Sequence, residues 1–110
     1  MHANETVLAL SALAHEHRLA IYRLLVEAGP EGRAAGEIAE VLDVPPSSLS
    51  FHLAALNRAG LIEQRRESRS LIYSADFARM NALVGFLTDN CCGGRPCAPA
   101  STSRAKRARA

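Results

Sequence analysis

Apolar residues recur at helical spacing over most of the chain. Val7, Leu8, Leu10 and Leu13 form a stripe that predicts a helix over residues 5–14. Leu19, Ile21, Tyr22, Leu24, Leu25 and Val26 continue the pattern over 15–28, where Gly29-Pro30 stops it. A shorter helix over 34–42 carries Ile38, Val41 and Leu42 on one side. Pro45-Pro46-Ser47-Ser48 then opens a fourth, because proline is tolerated in a first turn and serine can cap its free N–H groups. That helix, over 46–59, buries Leu49, Leu53 and Leu56 and closes at Gly60. Residues 61–67 and 70–75 read as two strands of a β-hairpin around a polar turn. Asp76 caps a last helix bearing Phe77, Met80, Leu83, Val84, Phe86 and Leu87, which is expected to end at Cys91-Cys92. Residues 98–110 are low-complexity Ala, Ser and Arg, read as a disordered tail.

Two short helices joined by a tight turn and followed by a hairpin outline a winged helix-turn-helix, a mainly α fold with a β-hairpin wing. In such a domain the second helix of the pair enters the major groove. With Leu49, Leu53 and Leu56 turned inward, the opposite face shows Ser47, Phe51, Ala54 and Arg58, with Ser48, Ser50 and Ala55 beside them. Small hydroxyl side chains near a helix N-terminus suit phosphates or base edges. His52 lies nearer the buried stripe, so it reads either as a packing histidine or as a DNA contact. Arg65, Arg66 and Arg69 in the hairpin turn are candidate phosphate contacts, a solvated charged turn being the alternative.

At 110 residues and 48% hydrophobic, the chain holds one domain with a modest core, and a domain this small gains from the extra burial of a dimer. No apolar run is long enough to span a membrane and no basic n-region leads the chain, so a cytoplasmic location is expected. The net charge of +2 is unevenly spread. Of 13 basic and 11 acidic residues, five basic ones (Arg95, Arg104, Lys106, Arg107, Arg109) and no acidic one lie beyond Cys92, leaving residues 1–92 with eight against eleven, a net −3. Within that acidic body, residues 45–75 are locally +2, a weak pointer to a phosphate backbone. The division is therefore a DNA-binding and dimerisation domain over 1–92 and a flexible basic tail over 93–110. The tail either adds salt-sensitive attraction to DNA or is inert.

All three cysteines, Cys91, Cys92 and Cys97, fall within seven residues. An odd count argues against a disulfide framework, and clustered thiols in a reducing compartment more often mean metal or redox sensing. Thiolates are soft ligands, and structural zinc wants four protein ligands where only three are at hand. Trivalent arsenic or antimony fits three thiolates better; a reduced tail with inert cysteines is the bland alternative. No nucleophile with a paired base, phosphate-cradling glycine loop or acid/base carboxylate pair is evident, which argues against an enzyme.

Three stretches carry a family resemblance: Leu10-Ser-Ala-Leu-Ala-His-Glu-His-Arg-Leu19, Ser48-Leu-Ser-Phe-His-Leu-Ala-Ala-Leu-Asn-Arg-Ala-Gly-Leu-Ile62, and a wing ending in Leu71-Ile-Tyr73. Over roughly residues 7–87 the chain resembles the ArsR/SmtB metalloregulators. The resemblance implies a homodimeric repressor on double-stranded operator DNA, released when an inducer binds. It also implies a dimer interface made by the first and last helices, with Leu8, Phe86 and Leu87 as candidates and core packing as their competing role. Two departures matter. Many arsenic-sensing members carry cysteines on the first helix of the DNA-binding pair, and residues 34–42 have none. Zinc-sensing members use Asp and His on the last helix, which here has Asp76 and Asp89 near its ends but no histidine. The cysteine cluster then becomes the expected sensor, resembling members that bind As(III) at a C-terminal cysteine pair plus one further cysteine. As(III) is the expected inducer, with Sb(III) or organoarsenicals as variants. His15 and His17 are nominal ligands, read rather as a solvated helix start. The remaining alternatives are a repressor that senses thiol oxidation and a metal-trafficking protein that does not bind DNA.

Overall fold

The computed structural model describes residues 1–96. Helix α1 (Ala3–Leu13) leads into α2 (Glu16–Ala28), and a 3-10 turn at Gly29–Glu31 is followed by a two-residue strand β1 (Arg33–Ala34). Helices α3 (Ala35–Leu42) and α4 (Pro46–Arg58) come next, then strands β2 (Ile62–Glu67) and β3 (Ser70–Ala75) and helix α5 (Phe77–Thr88). The strands form an antiparallel sheet of order β1-β3-β2. In the hairpin Ile62 pairs with Ala75 and Glu67 with Ser70, and β1 adds Arg33 against Tyr73.

The local chemistry explains the breaks. The Glu5 carboxylate accepts from the His2 backbone N–H at 2.7 Å and opens α1; the Asp76 carboxylate accepts from the Arg79 N–H at 2.9 Å and opens α5. Helix α3 ends on Asp43 in the left-handed conformation (φ 54), whose N–H returns to Ala39 and Glu40 carbonyls. The buried Val44 follows, and Pro46 starts α4 three residues after that stop. Ser68 (φ 58) supplies the left-handed residue that turns the wing. Gly32 is required where it stands: φ is +73, and a Cβ would overlap the Tyr73 carbonyl oxygen on β3.

The core joins Ile21 and Leu25 of α2, Ile38 of α3, Leu49, Leu53 and Leu56 of α4, Leu61 and Ile62 beside the wing, and Leu83 of α5. The leucine stripe of α4 is therefore inward as its spacing predicts. Helix α1 differs from expectation. Its buried residues are Thr6, Ala9 and Ala12, while Val7, Leu8 and Leu10 are exposed. The small side chains let α1 lie close against the domain, and the large ones face away. Helix α5 also departs: it ends at Thr88, short of the cysteines, and only Leu83 on it is fully buried.

Candidate nucleic-acid interface and thiol cluster

Helix α4 presents Ser47, Ser50, Phe51, Ala54 and Arg58 to solvent, with Ser48 half-buried at its first turn. Phe51 is 64% exposed, a large aromatic on the outer face of the helix. No acidic residue occupies the first turn, so the positive end of the helix dipole is left uncompensated by its own sequence. His52 is 7% exposed and points inward. That burial favours the packing role over a contact with a groove.

The three wing arginines separate into two kinds. The Arg65 guanidinium pairs with Glu67 at 2.7 Å and donates to the Pro30 and Glu31 carbonyls at 3.3 and 2.7 Å, tying the wing to the turn after α2. Arg66 and Arg69 are exposed and make no ion pair among the described residues. Arg65 is thus partly a structural residue, whereas Arg66 and Arg69 keep their charge available.

Past α5 the backbone turns left-handed twice, at Asn90 (φ 57) and Cys92 (φ 57), and continues so through Gly93 and Gly94. The Gly93 N–H closes the turn on the Asn90 carbonyl at 2.8 Å. On a regular helix adjacent side chains would diverge by about 100°. Here the turn brings Cys91 Sγ and Cys92 Sγ within 3.8 Å of each other, both on exposed residues. Cys92 is disulfide-bonded. Cys97, the expected third thiol, and the basic tail from 98 to 110 lie outside the described residues.

A second cluster was not legible as such in the sequence. His15 and His17, at the start of α2, meet His52 of α4, with ring centroids 4.6 Å (His15–His52), 5.5 Å (His17–His52) and 5.6 Å (His15–His17) apart. His15 caps its own helix, its Nδ1 accepting from the His17 N–H at 3.1 Å. Burial holds the His52 imidazole below its ordinary pKa, and the nearby His15, Arg18 and His17 push the same way, which favours the neutral ring. The pair at 15 and 17 was visible, but only the packing of α2 on α4 brings in a histidine 35 positions further on.

The exposed large apolar residues of α1 (Val7, Leu8, Leu10) and α5 (Val84, Phe86, Leu87) are the third surface of note. Leu8 and Leu87 are 51% and 58% exposed and Phe86 40%, so core packing, the competing role for all three, does not describe them. Arg79 of α5 reaches Glu5 of α1 at 3.4 Å, fixing the two helices beside each other.

A short helix, a tight left-handed turn, a second helix with polar residues outward and a three-stranded wing define a winged helix-turn-helix DNA-binding domain. The model of a helix-turn-helix domain family matches residues 13–65. The chain is 31% identical to the HTH-type transcriptional regulator YgaV of Escherichia coli over 90 residues, 82% of this chain and 89% of that one. It superposes with a TM-score of 0.66 on an ArsR-like transcriptional regulator from Rhodococcus, at 31% identity over 76% of each chain. The homodimeric winged helix-turn-helix domain of Mb0332 from Mycobacterium bovis matches with a TM-score of 0.63 at 32% identity, covering 84% of this chain and 85% of that one. The chain belongs to the ArsR family of winged helix-turn-helix transcriptional regulators. Among the described residues no helix is long and apolar enough to cross a membrane.

Proposed function

We propose that the protein is a homodimeric repressor that binds double-stranded operator DNA through α4 and the wing and releases it when As(III) binds Cys91 and Cys92, with Cys97 as the third thiolate. The observation that carries this reading is the approach of the two sulfurs to 3.8 Å on an exposed left-handed turn directly after α5; reduction of the disulfide at Cys92 frees the second of them as a donor. Soft sulfur donors held this way suit a soft ion. Sb(III) has the same valence and fits the same donors, while an organic arsenical, with one position taken by carbon, would use the pair alone.

The apolar face shared by α1 and α5 supports pairing of two subunits, as does the homodimeric state of the Mycobacterium bovis domain. Recognition helices of such a dimer must sit about 34–36 Å apart to meet successive major grooves. The thiols lie beyond the last turn of α5, so an ion that draws them together acts on the helix that sets this separation. A coupling of about 1–3 kcal/mol is enough to change operator occupancy many-fold.

A second reading rests on the disulfide at Cys92: oxidation of the thiols, rather than arsenic, would be the signal. Operator release by arsenite, antimonite, methylarsenite, zinc and peroxide, measured side by side in reducing buffer (peroxide in its absence), separates the two. Release by arsenite that is lost when Cys91, Cys92 and Cys97 are all serine supports the arsenic reading. Release by peroxide alone transfers the function to thiol oxidation, and arsenite release that survives the triple substitution refutes the cysteine site.

A further inference from the structure

We propose that His15, His17 and His52 form a three-imidazole site for a borderline divalent transition-metal ion of the zinc class, set between the start of α2 and the DNA-facing helix α4. One ligand nitrogen from each ring lies within 4.8 Å of the other two. His52 gives the independent reason to expect a ligand there. It is 7% exposed, and its buried Nδ1 has no hydrogen-bond partner among the described residues, a state that buried imidazoles avoid.

The donor set selects the ion. Three imidazole nitrogens, with no carboxylate or thiol among them, suit Zn(II), Cu(II), Ni(II) or Co(II) and exclude the oxygen-seeking Mg(II) and Ca(II). Three protein ligands leave a fourth position for water, so the site is an exchangeable one rather than a closed structural one. With metal–nitrogen bonds of about 2.0–2.1 Å, tetrahedral ligands stand about 3.3–3.4 Å apart, so the rings must close by a little over an ångström. His15 and His17 are exposed and can make that move. His15 gives up its cap on the His17 N–H when it binds through the same nitrogen, and Arg18, which faces His52, opposes the incoming charge. Both weaken the site without removing a donor. The site is separate from the thiols: it lies on other elements and uses no sulfur. An ion there would tether the DNA-facing helix to α2, which makes metal a second input to the same domain.

The test uses the full chain with Cys91, Cys92 and Cys97 replaced by serine, so that thiolates cannot contribute. Co(II) is titrated by visible absorption and Zn(II) by calorimetry. One ion per chain with the visible bands of a tetrahedral, nitrogen-bound Co(II) is expected. His15→Ala and His17→Ala should each weaken Zn(II) binding tenfold or more, while His2→Ala, at the remaining histidine, should not change it. Absence of saturable Zn(II) binding, or equal affinity in the His15→Ala/His17→Ala double variant, overturns the site. His52→Gln is checked first by circular dichroism. If it folds and binds Zn(II) as tightly as the parent, the third ligand is wrong; if it does not fold, the exposed-ring variants decide.

Discussion

Arg65 of the wing donates to the main-chain carbonyl of Glu31 at 2.7 Å, while Arg66 beside it does not share that attachment. The two residues therefore do different work despite their adjacency. Each phosphate neutralised by a cation contributes about 0.9 to the slope of log affinity against log salt. Arg66→Ala and Arg69→Ala should each flatten that slope by about one on operator DNA, read by fluorescence anisotropy at several salt concentrations. Arg65→Ala should act mainly by loosening the wing, seen as faster amide exchange in β2 and β3. A slope change for Arg65→Ala alone would show that the wing contacts are assigned to the wrong arginines.

Phe51 and Leu56 lie on one helix with opposite exposures, 64% and 0%. Phe51→Ala should leave thermal stability nearly unchanged and weaken specific operator binding, since a phenylalanine can read a base edge only by apolar contact, as with a thymine methyl. Leu56→Ala should instead cost about 2–5 kcal/mol of stability, because it empties a packed site. Denaturant unfolding together with competition against non-specific DNA distinguishes the two effects.

Gly32 cannot accept a side chain without moving β3. Its positive φ and the Tyr73 carbonyl against it both oppose a Cβ. Gly32→Ala should lower stability by more than the ~1 kcal/mol that backbone preference alone would cost. It should also detach β1 from β3, visible as loss of amide protection at Arg33 and Tyr73, which pair across that edge.

Reduction state should gate the arsenic response. Cys92 is disulfide-bonded, and only the thiolate is a ligand. Arsenite added to oxidised protein should release less operator than arsenite added after a thiol reductant has been used and removed. Equal release from both forms would argue that Cys92 takes no part.

Leu8→Glu and Leu87→Glu should each convert the protein to a monomer in sedimentation velocity. Operator affinity should fall steeply, since a single subunit reaches one half-site. A dimer that persists in both variants would place the interface elsewhere.

The order of elements was legible because periodicity and punctuation agreed: the leucine stripe of α4, the stop at Gly29-Pro30 and the Asp76 cap all stand where the spacing predicts. The hairpin strands matched because two short runs flank a polar turn, and Ile62 pairs with Ala75 and Glu67 with Ser70 across it. What could not be read was orientation. The apolar positions on α1 are as periodic as those on α4, yet Ala9 and Ala12 face inward and Leu8 outward, because spacing reports a stripe without reporting what it meets. The bend after α5 was also hidden. Asn90 and Cys92 adopt left-handed angles, common enough for asparagine but rare for cysteine, and the Gly93 N–H closes the turn on the Asn90 carbonyl. His52 was ambiguous for a third reason: one position on the edge of a helical stripe faces in or out according to what lies across from it.

The reversed stripe of α1 bears on how many copies of this regulator a cell must hold. Each subunit keeps Val7, Leu8 and Leu10 out of its own core, so it gives up burial that a second subunit can restore. For an assembly completed that way, folding and pairing are linked by mass action, and the stable fraction rises with concentration. Dilution below the pairing threshold would then vacate the operator as effectively as an inducer, which makes the rate at which the protein is made part of its regulatory logic.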